Sequence, residues 1–180
     1  TSTREECKIG HLIDQQIDRT CQPKDTVICS EHLQIIKDDE DWWDCTIKAN
    51  RALLALRANG GGPVHINLPT QYCPSFDVET LPVVRKISRF YSYDTLPDIH
   101  NRDVSIFIGT HRKMTIDEQN AIDKFCEIYN AVVYCDTCSG YHGKYQLKLY
   151  GKTEELKTDV LIHIGEVSCA AYSIKPNEVW

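Results

Sequence analysis

Four groupings of residues in this chain could do chemistry, and in each the spacing decides what kind. Cys135-Asp136-Thr137-Cys138 places two thiols three residues apart at the end of an apolar run. Such a pair holds zinc only when a second pair completes the four ligands, and no other Cys-x-x-Cys occurs. A redox pair wants its second cysteine in a first helical turn, and the Ser139-Gly140 that follows argues against a helix there. Cys135 and Cys138 are therefore expected to be reduced and metal-free. Gly109-Thr110-His111 stands between a strand-like and a helix-like stretch, where open α/β sheets bind ligands. It lacks Gly-x-Gly-x-x-Gly, so a plain strand-to-helix turn is expected rather than a dinucleotide site.

The histidines, His11, His32, His65, His100, His111, His142 and His163, show neither His-x-x-x-His nor His-Glu-x-x-His spacing. His65 and His163 sit inside apolar strand patterns and are expected to be satisfied core or sheet-end residues rather than ligands. The fourth grouping is Asp14-Gln15-Gln16-Ile17-Asp18. Its amides can donate to a carboxylate or carbonyl oxygen without adding charge. On the residues alone an exposed polar loop accounts for it equally well.

Composition narrows what such residues could serve. The chain has 180 residues, 42% of them hydrophobic, enough for one large packed domain or two small ones. Net charge is −6, from 20 Lys+Arg against 26 Asp+Glu, and the basic residues are scattered. Nucleic acid and anionic membrane surfaces both need a concentrated positive field, so neither is expected as partner. No apolar run approaches the ~20 residues of a membrane span, and there is no signal-peptide pattern. The nine cysteines are an odd total, and Cys45, Cys126 and Cys135 fall in apolar patterns where cysteine behaves as a small hydrophobe. Reduced thiols and a cytoplasmic location are expected. The chain starts at Thr1 and its only methionine is Met114, which suggests a piece of a longer protein.

These residues need elements to position them. Ile9, Leu12, Ile13 and Ile17 suit a short helix or loop-helix over 9–18. Val27–Cys29 and Leu33–Ile36 read as brief extended pieces. Asp38-Asp39-Glu40-Asp41 opens the clearest helix, with Asp41 as expected N-cap and a broad apolar face including Trp43, Ile47 and Leu54. Trp42 and Trp43 are read as packing anchors. Gly60-Gly61-Gly62 and Pro63 end that helix, Val64–Leu68 is a short buried strand, and Pro69 stops it. A proline-punctuated connector over 70–101 is too long for a simple loop and is expected to lie partly along the next domain. Val104–Ile108, Ala131–Cys135 and Val160–Ile164 read as buried parallel strands. Thr115-Ile116-Asp117-Glu118 is a capping box opening a helix over 116–129. A short helix is expected around Tyr145 to Tyr150. The fold class is α/β, a Rossmann-like parallel sheet with flanking helices cut off after its third strand, preceded by the end of another α/β domain.

Gly62-Pro63-Val64-His65-Ile66-Asn67-Leu68-Pro69 carries a resemblance that runs in order along essentially the whole chain and is specific only at residues 9–19, 42–69 and 159–180. It is similar to the end of the pyrimidine-binding domain of thiamine-diphosphate-dependent enzymes, and closest in kind to the acetolactate-synthase and MenD-like branches. In that family a helix precedes this strand and a linker leads on to a Rossmann-like central domain, which in many members binds no cofactor. The resemblance implies three parts: residues 1–70 as the end of the pyrimidine-binding domain, 71–101 as linker, and 102–180 as the first part of the central domain. It also implies a parent that decarboxylates a 2-keto acid and transfers the resulting unit to an acceptor, a transferase or carboligase working with thiamine diphosphate and Mg²⁺, usually as a homo-oligomer.

By resemblance to an Asn-Gln-x-Ile string of the MenD-type branch, Gln15 is a candidate cofactor-binding residue and Asp14 a candidate substrate-binding one. Asp14 stands where Asn is usual and would repel an acid substrate. The family's activating glutamate and its Gly-Asp-Gly…Asn metal–diphosphate segment do not occur here. No catalytic or metal-ligating residue is therefore assigned, and the chain alone is expected to be inactive and to hold no cofactor tightly. Two other readings stand beside this one: a non-catalytic Rossmann-type binding or assembly module, and a thiol redox protein resting on Cys135 and Cys138.

Overall fold

The computed structural model describes residues 1–14, 18–72, 75, 77–148, 155–166 and 174–180. The chain divides into two compact units, Thr1–Thr95 and Leu96–Trp180.

The first unit is a parallel three-stranded sheet with one long helix. Strands β1 (Ser2–Arg4) and β2 (Cys29–His32) flank β3 (Val64–Thr70), in the order β1-β3-β2. So Val64–Leu68 has a partner on each side, and the region before residue 40 contributes both. Helix α1 (Asp39–Ala55) is capped by Asp38, whose side chain accepts from Asp41 N. Asp41, expected as the cap, instead accepts from Lys37 N and from the Gln34 amide, tying the exit of β2 to the helix start. The helix buries Cys45 and Ala52, whereas Trp43, expected as a packing anchor, is 59% exposed. After the helix, Gly61 folds back at φ 76°, and a Cβ there would lie 2.6 Å from the Leu56 carbonyl. Only glycine fits that reversal.

Pro69 does not stop β3. Successive residues of a strand offer their polar groups to opposite sides. Ile66 O and Leu68 N bond to Thr1, while Asn67 O accepts from Leu33 N on the other side. The absent N–H of Pro69 therefore falls on the side where β2 has already ended, and no ladder bond is lost. Over 9–14 the described residues form turns rather than a helix, with Gly10 and Leu12 at φ 85° and 54°. The connector also departs from expectation. Asn50, on α1, donates to Arg85 O and accepts from Ile87 N, so that part of it lies on the first unit's own helix.

The second unit is a five-stranded, all-parallel sheet. Its strands are β4 (Val104–Ile108), β5 (Val132–Cys135), β6 (Gln146–Lys148), β7 (Leu156–Ile164) and β8 (Ile174–Val179), ordered β6-β5-β4-β7-β8. This is the Rossmann-type order in which the chain builds outward one way, returns, and builds the other. The three expected strands are present, parallel and in one sheet, with β4 at the centre and buried along its whole length. The sheet is not cut off after three strands. β8 was missed because Lys175, Pro176, Asn177 and Glu178 look nothing like a buried strand. Where a helix was expected around Tyr145, the chain forms β6; residues 149–150 lie outside the described residues.

Helix α2 (Ile116–Tyr129) opens with the full capping box: Thr115 Oγ1 accepts from Glu118 N, and Glu118 reaches back to Thr115 N. Such a cap is worth about 1 kcal/mol. The helix lays Cys126, Ile122 and Phe125 on the sheet face formed by Val104, Ile106, Ile108, Val133 and Val160. Phe107, Leu161 and Ile174 form a smaller cluster.

Candidate functional site

In the first unit, the carboxyl ends of β1, β2 and β3 lead to one rim. Glu5, Glu6 and Cys7 follow β1, Gln34 and Ile35 follow β2, Pro69 lies near the end of β3 and Gln71 just beyond it; with Lys37 and Asp41 they line a cleft of about 240 Å³. The carboxyl edge of an open parallel sheet is where α/β folds take ligands. Lys8 Nζ bonds Glu5, and Arg4, at the end of β1, reaches the candidate loop.

Asp14 is exposed, and Arg4 Nη2 lies 3.1 Å from its Oδ2. The negative charge expected to repel an acid substrate is thus paired with a cation. Gln15 lies outside the described residues, as do Gln16 and Ile17. Sequence reasoning missed Arg4, since nothing in the spacing of Arg4 and Asp14 foretells that a turn brings them together.

Behind the rim, a run of polar side chains lies along one face of the three-stranded sheet. Thr3, Asn67 and His65 are buried, and Ser30, His32 and Thr1 join them. His65 Nδ1 is 3.0 Å from Ser30 Oγ and its Nε2 is 2.6 Å from Thr1 Oγ1, so it is a satisfied buried histidine as expected. Burial, with the amino terminus and Arg19 nearby, holds its imidazole below the ordinary histidine value. Asn67 ties this group to His32, whose Nε2 lies 2.9 Å from Glu6 Oε1.

In the second unit, the strand order reverses between β4 and β7, and a nucleotide would enter at their carboxyl ends. Among the described residues, backbone hydrogen bonds bridge that mouth. Thr110 N donates to Glu166 O, Glu166 N to Thr110 O, and Gly109 N to Ile164 O. A Cβ on Gly109 would come within 2.1 Å of the Glu166 carbonyl oxygen. The loop is held on its other side too, by His111 N to Cys138 O and Met114 N to Gly140 O. Gly109-Thr110-His111 is therefore a strand-to-helix turn zipped to its neighbour, with its amides spent on the carbonyls of Ile164, Glu166 and Cys138. A larger cleft of about 720 Å³, lined by His100, Arg102, Asp103, Tyr129 and Lys157, lies at the opposite, amino end of these strands.

Cys135 and Cys138 are both free, but differently placed. Cys135 is wholly buried, and that burial pushes its thiol up; Cys138 is exposed beside Thr137 Oγ1. Among the described residues no group of three or more His, Cys, Asp or Glu side chains could hold a metal ion. His163 departs from expectation: its ring lies edge-on to Phe107, and its buried Nε2 has no hydrogen-bond partner among the described residues. Among the described residues no helix is long and apolar enough to cross a membrane.

No family model matches the chain. Curated proteins do. It is 35% identical over 111 residues to the 2-succinyl-5-enolpyruvyl-6-hydroxy-3-cyclohexene-1-carboxylate synthase of Bacteroides fragilis, covering 58% of this chain and 19% of that protein. The synthases of the same name from Bacteroides thetaiotaomicron and Phocaeicola vulgatus are 30% and 29% identical over 132 residues, 70% of this chain and 23% of each. The resemblance, expected along essentially the whole chain, is matched over 58% to 70% of it. The chain spans about a fifth of the length of the curated relatives it matches.

Proposed function

We propose that this chain is part of a thiamine-diphosphate-dependent enzyme of the MenD-like type, a transferase that decarboxylates a 2-keto acid and joins the resulting unit to an acceptor. The observation that carries the reading is the match to 2-succinyl-5-enolpyruvyl-6-hydroxy-3-cyclohexene-1-carboxylate synthases, together with a fold in which α1, the glycine turn and β3 precede a connector and a Rossmann-like sheet. Residues 1–70 are the end of the pyrimidine-binding domain, 71–101 the linker and 102–180 the first part of the central domain.

The residues present suit a supporting role. The first unit supplies a rim with Arg4, Asp14 and, by resemblance, Gln15. Arg4 is a cation that an acid substrate can share with Asp14. The carboxylate and amide oxygens that hold magnesium and diphosphate in this family come from a Gly-Asp-Gly…Asn segment that does not occur in these 180 residues. When bound in the parent, the cofactor supplies the electron sink for decarboxylation. This chain alone binds it weakly or not at all and is inactive; the parent is cytoplasmic and homo-oligomeric.

The test uses the full-length parent and the 180-residue chain side by side, with thiamine diphosphate, Mg²⁺ and a panel of 2-keto acids. Carbon dioxide release by the parent and none by the chain supports the reading. A parent without cofactor-dependent release overturns it in favour of a non-catalytic assembly module. Micromolar cofactor binding by the chain alone, ~8 kcal/mol, shows the cofactor site to be misplaced.

A further inference from the structure

A wholly buried asparagine and a half-buried histidine lead from the middle of the first sheet to one carboxylate on its rim. Asn67 is 0% exposed. Its Nδ2 donates to Thr3 Oγ1 over 3.1 Å and lies 2.9 Å from His32 Nδ1, while its Oδ1 accepts from Thr1 Oγ1 over 2.9 Å. Across the ring, His32 Nε2 is 2.9 Å from Glu6 Oε1. A carboxylate only accepts, so Nε2 must carry a proton; an amide nitrogen only donates, so Nδ1 must not. The two neighbours thus demand the same neutral tautomer from opposite sides of the ring. Asp18 is close enough for its charge to reach His32, but its Oδ1 is taken by Thr20 N and Oγ1. The hydrogen bond of the ring goes instead to Glu6, which lines the rim cleft with Gln34 and Lys37.

The Glu6 side chain keeps 66% of its exposure, and its Oε2 has no partner among the described residues. A contact to so exposed a carboxylate adds little stability, which points to orientation as its use. We propose that His32 is the positioning residue that aims Glu6, and that Glu6 takes a hydroxyl group of the acceptor substrate. An ionised 2-keto acid offers only oxygen acceptors at its reacting end, and a carboxylate repels those. A free carboxylate oxygen suits a ligand with O–H groups, so Glu6 separates the acceptor from the keto acid. The choice of ligand rests on the proposed function; the positioning of Glu6 by His32 does not.

Nitrogen-15 NMR of the 180-residue chain tests the positioning. At about pH 8, above the ordinary histidine value, His32 appears as the neutral Nε2–H tautomer, and the Nδ1–H form would overturn the proposal. Kinetics of the full-length protein test the ligand, with glycolaldehyde and acetaldehyde as acceptors that differ by one hydroxyl. A glutamine amide nitrogen falls where Nε2 stood, whereas an asparagine amide reaches only as far as Nδ1. His32→Asn and Glu6→Gln each raise KM for glycolaldehyde about fivefold, the worth of one hydrogen bond, with kcat within about twofold and acetaldehyde unaffected. His32→Gln stays within about twofold of wild type, and His32→Asn adds nothing to Glu6→Gln in the double variant. Equal impairment by His32→Gln and His32→Asn, or additive losses, overturns the positioning. A wild-type protein that does not prefer glycolaldehyde overturns the ligand. A protein without cofactor-dependent carbon dioxide release fails the proposed function and the ligand with it, while the tautomer still decides the positioning. Should His32→Asn fail to fold, Glu6→Gln and the wild-type tautomer decide.

Discussion

Arg4 Nη2 stands 3.1 Å from Asp14 Oδ2, joining the end of β1 to the loop that follows it. The Asp14 side chain keeps 71% of its exposure, so solvent screens the pair and its share of stability is under ~1 kcal/mol. On the proposed function its weight falls on binding instead. Asp14→Asn leaves the thermal unfolding midpoint of the chain within about 2 °C of wild type. On the proposed function, in the full-length protein it frees Arg4 for an acid and lowers KM for the 2-keto acid. An unchanged or higher KM would remove Asp14 and Arg4 from the substrate's path.

His65 makes stability depend on pH. Its folded-state pKa is lowered from the ordinary 6.5 by desolvation first and by nearby positive charge second. The unfolded chain therefore takes up a proton at a pH where the folded one does not, and stability falls as pH drops below about 6.5. Denaturant midpoints measured between pH 8 and 5 decline in wild type, and His65→Gln flattens the part of the decline that His65 causes. An identical slope in the variant would assign the whole effect to other groups.

The elements that were legible in the sequence are those whose burial and periodicity agree. β4, β5 and α2 announce themselves by continuous apolar runs and a capping box, and the structure puts them where expected. The first unit was hard to read because its sheet inverts the usual pattern: the positions that β3 buries are His65 and Asn67, while Leu68 is exposed. β1 and β2, three and four residues long, carry no alternation to detect. β8 is polar because it is a sheet edge. Asp14 could be named as a candidate by resemblance, but Arg4 could not, since their contact is made by a turn and not by a period.

Gly109 tests the bridged mouth of the second sheet. Its replacement by alanine drives a methyl group against the Glu166 carbonyl oxygen at 2.1 Å, and backbone cannot yield as a side-chain tip would. Gly109→Ala therefore costs on the order of 1–3 kcal/mol and loosens the Thr110–Glu166 bridge. Hydrogen exchange at the Thr110 and Glu166 amides reads this directly. Exchange as slow as in wild type would mean that the bridge does not depend on the close approach.

Tyr141 is fully buried and donates to Asp123, which also accepts from Lys144 N. Burial and the neighbouring carboxylate push the Tyr141 phenol above its ordinary value of 10.0. A folded pKa raised above the unfolded one means full stability below pH ~10 and progressive loss above it. Tyr141→Phe removes that alkaline loss and costs about 1 kcal/mol at neutral pH. Asp123→Ala costs more, about 1–3 kcal/mol, because it leaves a buried hydroxyl without an acceptor. Equal losses for the two variants would contradict this order.

Cys135 and Cys138 are close in sequence and opposite in environment, which gives the Cys-x-x-Cys a direct chemical test. Thiolate, not thiol, is what reacts with an alkylating agent. Cys135 is wholly buried and its thiol is shifted up by desolvation, so neither access nor ionisation favours it. Cys138 is exposed. Iodoacetamide at pH 8 followed by peptide mass spectrometry should modify Cys138 within minutes and leave Cys135 untouched until denaturant is added. Cys138→Ser should change neither the rate at the other exposed thiols nor the stability by more than ~0.5 kcal/mol. A redox pair would behave otherwise. It would run two mass units light before reduction, and Cys138→Ser would expose a reactive Cys135. A zinc pair would protect both residues and release metal on alkylation. Either result would revive thiol chemistry at a position where the fold buries one of the two sulfurs.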